Sequence, residues 1–381
     1  MRALLPLIED INTSNDKETP GFSSLHFAAQ NDNSELLELL IEEGADVNYA
    51  DDKDSLWKRT PLHVAAEKGN IKACNVLLKY DADINAQVLR LQWTPLCYAI
   101  SKGNSKLVEL LLAAGAQYAH LATLNTGSNR LCLPHDRYSF ISFGFKYNWS
   151  ALHLAADKGD VTICRLLLEA GADPNERIAI YDWSEKKDSS DQSPTPLLCA
   201  ILKKNLEVCE LLLKAGANSS DEFTISGESF PFLALAASSS TPEIVCLLLR
   251  DGAPSSNLLT SLCSFTLLHF AVAAANNDVC RLFLLESLCD LEAVDCEGYT
   301  PLLLAAKSGH IATSKILLDA GADIFVRVKP GLLTRSLRYL ERIFTSAPRG
   351  YPETGRNVFQ VARENRHEDL LVVLLEHLSN A

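Results

Sequence analysis

Thr60-Pro61-Leu62-His63-Val64-Ala65-Ala66 is answered 240 positions later by Thr300-Pro301-Leu302-Leu303-Leu304-Ala305-Ala306. About ten residues after each heptad comes a Leu-Leu pair, Leu77-Leu78 and Leu317-Leu318, and after the second pair Gly321-Ala322-Asp323. Weaker copies begin around Ser23, Thr94, Ser150, Thr195, Pro231 and Thr266, and a ninth near Asn357. Indexed by the residue in the leucine place, the copies sit at Leu25, Leu62, Leu96, Leu152, Leu197, Leu233, Leu268, Leu302 and Phe359. The spacings are 37, 34, 56, 45, 36, 35, 34 and 57, so five lie close to one period and three are long. Self-similarity at such a period is the mark of a repeat architecture.

Each copy reads as a pair of helices. Thr60 can cap a helix start, and Pro61 then occupies the first helical position, where a missing N–H costs nothing. Ala65 and Ala66 are small enough for neighbouring units to stack closely. Val161, Cys164, Leu167 and Leu168 follow helical spacing, and Gly171 ends that helix as a left-handed cap requires. One unit cannot bury its own apolar face, so stability must come from its neighbours.

The composite motif resembles the ankyrin repeat, and the resemblance covers about residues 21–377. It implies an all-α ankyrin-repeat solenoid of about nine helix-turn-helix repeats with short finger hairpins and three long finger insertions. The repeats fall near 21–51, 58–86, 92–118, 149–176, 194–219, 229–254, 264–291, 298–325 and 355–377. Residues 1–20 read as an N-terminal cap segment, and the insertions lie near 119–148, 177–193 and 326–353.

Composition sets the outer bounds. The 381 residues are 47% hydrophobic and 22% charged, which argues against a mostly disordered chain. The net charge of −13 disfavours phosphate backbones, so nucleic acid is not an expected partner. Neither a signal-peptide core nor a membrane-length apolar run is present. Eleven cysteines spread along the chain do not form a secreted disulfide pattern. Cys74, Cys164 and Cys209 share one repeat position, with Cys246 and Cys280 close to it, which marks a packing slot. Cys132 with His135, and Cys289 with Cys296, lack the four ligands of a structural zinc site. No phosphate-cradling loop, kinase signature or nucleophile elbow occurs, and the repeats leave no room for a catalytic domain. The sequence therefore points to no enzyme, cofactor or metal.

The resemblance implies protein recognition by a concave surface of inner helices and finger tips. It makes His26, His63, His153 and His269 hydrogen-bonding supports of the turns. Candidate contacts at finger tips are Tyr49, Asp51, Arg90, Trp93 and Tyr299. Tyr138, Phe140, Phe143 and Phe145 crowd the first insertion, and Tyr181 and Trp183 stand in the polar second one. In the third, Arg335, Arg338 and Arg342 share one side and Leu333, Leu337, Leu340 and Phe344 another. Residues 325–350 carry net +5, which suits an acidic peptide or a membrane surface. A membrane-acting or effector-like module and an unrecognised enzyme are the competing readings. Asn48, Asn85 and Asn175 stand where ankyrin repeats carry a hydroxylatable asparagine. A monomer in the cytoplasm, or also the nucleus, is expected.

Overall fold

A computed structural model describes residues 12, 22–50, 58–88, 93–118, 149–177, 194–225, 228–254, 265–286, 289–328 and 355–380. The described helices form two compact units. In the first, the inner helices are α1 (Ser24–Gln30), α3 (Pro61–Lys68), α5 (Pro95–Ser101) and α7 (Ala151–Lys158). Their outer partners are α2 (Ser34–Glu42), α4 (Ile71–Lys79), α6 (Ser105–Ala113) and α8 (Val161–Glu169). The second has inner helices α9 (Pro196–Leu202), α11 (Phe232–Ser239), α13 (Leu267–Ala273), α15 (Pro301–Ser308) and α17 (Val358–Glu364). Its outer helices are α10 (Leu206–Lys214), α12 (Pro242–Arg250), α14 (Asn277–Leu285), α16 (Ile311–Asp319) and α18 (Glu368–Asn380). One antiparallel hairpin, β1 (Glu222–Ile225) with β2 (Glu228–Pro231), opens the finger ahead of α11, with Phe223 opposite Phe230.

The heptad explains its own geometry. Thr60 is extended, and His63 closes a capping box in the place usually held by Glu or Gln. The Thr60 backbone N–H donates to His63 Nδ1 at 3.1 Å. Pro61 stands at the first helical position and Gly69 ends the helix at φ 77°. The two alanines, Ala65 and Ala66, are wholly buried where inner helices lie side by side. The leucine of every complete copy, from Leu25 to Leu302, is also buried, each stabilising by about 1.5–3 kcal/mol.

Asparagine opens five of the outer helices, at Asn33, Asn70, Asn104, Asn205 and Asn276, and the position bonds in two directions. Asn104 and Asn205 accept the backbone N–H three residues on, at 3.1 and 3.0 Å. Asn70 Nδ2 donates backward to the Ala29 and Gln30 carbonyls of the preceding inner helix, at 2.7 and 2.9 Å. Asn276 does the same to Ala237 and Ser240, and His310 Nδ1 to Val272. Helix-end carbonyls left without an intrahelical partner are thus satisfied by the next repeat.

These side chains need room. A Cβ on Gly69 would lie 2.7 Å from Asn104 Nδ2, and one on Gly309 would lie 2.6 Å from the His367 ring. The same helix-end position is held at positive φ by Lys204 (58°), Ala275 (54°) and Arg366 (62°), which have a Cβ and pay for it in backbone strain. Asp32, at 53°, recovers some of that strain by accepting the Ala73 N–H at 2.9 Å.

The cysteine position resolves as the fourth residue of the outer helix. Cys74, Cys164, Cys209 and Cys280 are all fully buried there, and burial pushes their thiols up to about 12. Cys246 falls one residue later and is half-buried. Val108, Val245 and Ser314 fill the same slot in other repeats and Leu37 fills it in α2, all fully buried, so the slot is a packing position.

Of the three insertions only residues 177 and 326–328 fall among the described residues, and the flanks of the first and third are tied together. Tyr118 O accepts the Ala151 N–H at 3.2 Å across the first. Val328 pairs with Arg356 and Gly355 across the third, at 2.8 and 2.9 Å. The cap segment, save Asn12, lies outside the described residues.

Ala275→Gly should raise stability by about 0.5–1 kcal/mol, because the strain relieved exceeds the added chain entropy. Gly309→Ala should cost about 2 kcal/mol, since strain and the His367 clash add. Urea unfolding of both variants checks this; equal and opposite small changes would show that only backbone preference matters.

Candidate protein-binding surface

The residue just before each inner-helix cap forms a series. In the first unit it is Phe22, Arg59, Trp93 and Trp149; in the second it includes Phe265, Tyr299 and Arg356. Large aromatic and arginine side chains therefore recur where the finger meets the inner helix.

Their backbone is clamped by the preceding repeat. His26 Nε2 donates to the Arg59 carbonyl at 2.8 Å, His63 Nε2 to Trp93 at 3.2 Å and Ala86 at 3.0 Å, and His269 Nε2 to Tyr299 at 3.1 Å. The tautomer follows from the partners. Nδ1 of His63 receives the Thr60 N–H and Nδ1 of His269 the Thr266 N–H, so the proton sits on Nε2 and the rings are neutral. Burial, the main cause, lowers both imidazoles to about 4. Both nitrogens of each ring are engaged, which fits support and leaves no free base.

Side chains of the series lean on their surroundings. The Arg59 guanidinium lies 5.1 Å over the Phe22 ring and pairs with Glu67 at 3.0 Å. Trp93 meets Tyr98 edge-on at 5.2 Å, and Tyr98 meets His63 at 5.8 Å. Phe265 stands 5.3 Å from both His269 and Phe270. Trp93, Arg59 and Trp149 keep part of their surface in solvent.

Of the finger-tip candidates, Trp93 and Tyr49 are half-buried, with Tyr49 edge-on to His26 at 6.3 Å. Tyr299 is instead buried. Its ring lies 4.6 Å beneath Lys307 Nζ, and Lys307 pairs with Glu297 at 3.1 Å with both side chains nearly covered. The reason is local: Asp295 Oδ1 accepts the N–H groups of Glu297 and Tyr299, which folds the turn inward. Burial pushes the Asp295 carboxyl up to about 7. Asp51, Arg90, Tyr138, Phe140, Phe143, Phe145, Tyr181, Trp183, Arg335, Arg338 and Arg342 lie outside the described residues.

The asparagine candidates form a second ladder. Asn48 Oδ1 accepts the Asp83 N–H at 2.7 Å, and Asn85 Oδ1 the Gln117 N–H at 2.8 Å, joining one turn to the next. Asn175 is exposed, with its N–H on Asp173. Among the described residues no cluster suits a metal ion, and no helix is long and apolar enough to cross a membrane.

Comparison with known proteins agrees with this geometry. A family profile described as ankyrin repeats (3 copies) matches residues 1–88, 25–122, 90–178, 120–223 and 232–328. The chain belongs to the ankyrin-repeat family. It is 30% identical over 291 residues to the ankyrin repeat and KH domain-containing protein mask-1 of Caenorhabditis elegans, covering 71% of this chain and 11% of that protein. It is 37% identical over 97 residues to the nuclear factor NF-kappa-B p105 subunit of Gallus gallus, covering 25% and 10%. The human ASB11 ankyrin repeat domain is similar in structure with a TM-score of 0.45 and 20% identity, covering 79% of this chain and 99% of that one. The chain spans 10% to 30% of the length of the curated relatives it matches. Ankyrin repeats mediate protein–protein interaction and form a typically non-catalytic module.

Phe22, Arg59, Trp149 and Phe265 were not among the sequence candidates. The signal was available: each immediately precedes a capping Ser or Thr, the place that singles out Trp93.

The imidazoles give a pH dependence. An unfolded imidazole titrates near 6.5 and the folded ones near 4, so the unfolded chain binds protons first and stability falls as pH drops through that window. Each histidine should cost about 2 kcal/mol between pH 7.5 and pH 5. Gln360 already performs the capping role in the last repeat, its Oε1 accepting the Asn357 N–H at 3.0 Å. The double variant His63→Gln, His269→Gln should therefore flatten the acid limb of the stability–pH curve. An unaltered slope would assign acid sensitivity to other groups. Asp295 opposes this trend, because its raised value adds stability as pH falls below 7, and it cancels in the comparison of variant with wild type.

Proposed function

We propose that this chain is a non-catalytic recognition scaffold or adaptor that binds a protein partner through its inner-helix and finger surface. The observation that carries the reading is the series Arg59, Trp93 and Trp149, half-buried side chains at the same place in three successive repeats of the first unit, with Phe22 at that place in the first repeat buried beneath Arg59. Tryptophan and arginine are the residue types that dominate protein interfaces. Clamping of the Arg59 and Trp93 backbones by His26 and His63 lowers the ordering cost of binding. Trp93 and Tyr49 are the retained finger-tip contacts.

The mechanism is addition of modest contacts along a rigid row. Specificity lies in the side chains at these places, because the heptad itself is consumed by packing. The described cysteines are unbridged thiols, which suits a cytoplasmic or nuclear setting.

Crosslinking mass spectrometry on the affinity-purified chain tests the reading. Crosslinks should fall on fingers and inner helices of residues 22–157. Trp93→Ala and Arg59→Ala should each weaken the captured partner at least tenfold, about 1.4 kcal/mol or more, with helical content unchanged. Crosslinks confined to the outer helices would overturn it.

A further inference from the structure

The first unit carries a cationic edge at the end of its inner helices away from the finger base. Counted from the start of α3, α5 and α7, the eighth residue is Lys68, Lys102 and Lys158, exposed in each case. α3 packs on α5 and α5 on α7, so the three ammonium groups form a row with one step per repeat. Just beyond, the second residues of α4 and α6 are Lys72 and Lys106, also exposed. Within residues 67–72, 101–106 and 157–162 every exposed charged side chain is a lysine. The carboxylates there, Glu67, Asp157 and Asp160, are half-buried; Glu67 pairs with Arg59 at 3.0 Å and Asp160 accepts the Ile163 N–H at 3.0 Å. On the outer helices exposed carboxylates stand outside these turns, at Glu35 in α2, Glu109 in α6 and Glu169 in α8. None of the five lysines pairs with a carboxylate among the described residues.

A lysine in the last turn of a helix is favoured by the helix dipole, which is a sufficient local reason for Lys68, Lys102 and Lys158. No such reason covers Lys72 and Lys106. They stand in a first turn, where positive charge opposes the dipole, and neither helix has an acid there. By contrast α2, α10, α12 and α14 carry Glu35, Glu207, Glu243 and Asp278 in that turn. The sign is inverted in two outer helices beside the row, inside a chain of net charge −13.

We propose that this edge binds an extended acidic segment of a protein partner, with a carboxylate at every third residue. Helices packed side by side lie about 8–10 Å apart. A polyproline II chain advances about 9 Å per three residues and returns each third side chain to the same face. Its carboxylates meet Lys68, Lys102 and Lys158 in turn, with Lys72 and Lys106 flanking. A short segment meets only this strip, whereas a duplex or a lipid plane also meets the field of a chain at −13. The site goes beyond the row of Arg59, Trp93 and Trp149, which stands at the opposite end of the same helices, and neither proposal depends on the other.

The test uses the full chain and two synthetic peptides of about 12 residues, long enough to span three repeats. Both have one composition of glutamate, proline and serine. In the first, glutamate recurs at every third residue; in the second, all glutamates adjoin. Fluorescence anisotropy at low salt should show saturable binding of the spaced peptide, at least about fivefold tighter than the clustered one and weakening as salt rises. Lys68→Glu, Lys102→Glu and Lys158→Glu, all at exposed positions, should each weaken it about threefold to tenfold with helical content unchanged. Lys315→Glu, exposed in the second unit, alters the net charge equally and should leave binding as it is, as should Trp93→Ala. Equal binding of the two peptides, no saturable binding, or equal loss with Lys315→Glu and Lys102→Glu would overturn the proposal. So would a single-stranded oligonucleotide or an anionic vesicle that binds more tightly than the spaced peptide and responds to the same variants, which would give the edge to a different polyanion.

Discussion

Everything in this fold rests on repeats having to complete one another. A helix pair of this length leaves its apolar face uncovered and its helix-end carbonyls unsatisfied. Two sets of part-buried hydrogen bonds between repeats answer the second problem. Histidine reaches forward from the inner helix, as His63 does to Ala86 and Trp93, and asparagine reaches back from the outer helix, as Asn70 does to Ala29 and Gln30. Each bond would be costly to leave unmade in a buried site, so register between repeats is specified more sharply than apolar packing alone would do.

The same bonds support the proposed recognition surface. The carbonyls that His26 and His63 hold belong to Arg59 and Trp93, so the support and the candidate contact are adjacent atoms of one peptide. On the proposed reading, stability and binding are coupled at the finger base. Where a turn folds inward, as Asp295 makes it do, the large residue is consumed: Tyr299 sits beneath Lys307 and becomes core. One sequence position is thus half-buried in one repeat and core in another, and the local turn decides which.

Period and capping chemistry were readable directly from the residues. Thr-Pro at a helix start, glycine at its end and paired leucines in between act within a few residues, so local rules suffice for helix pairs, for the repeat count and for the cysteine slot. The division into two units and the burial of Tyr299 were not readable. Each depends on which side chain covers which in the folded chain, and residue type alone does not fix that. A tyrosine before Thr-Pro looks the same in sequence whether Lys307 lies over it or water does. Only the folded turn, with Asp295 drawing two N–H groups to one carboxylate oxygen, separates the two cases.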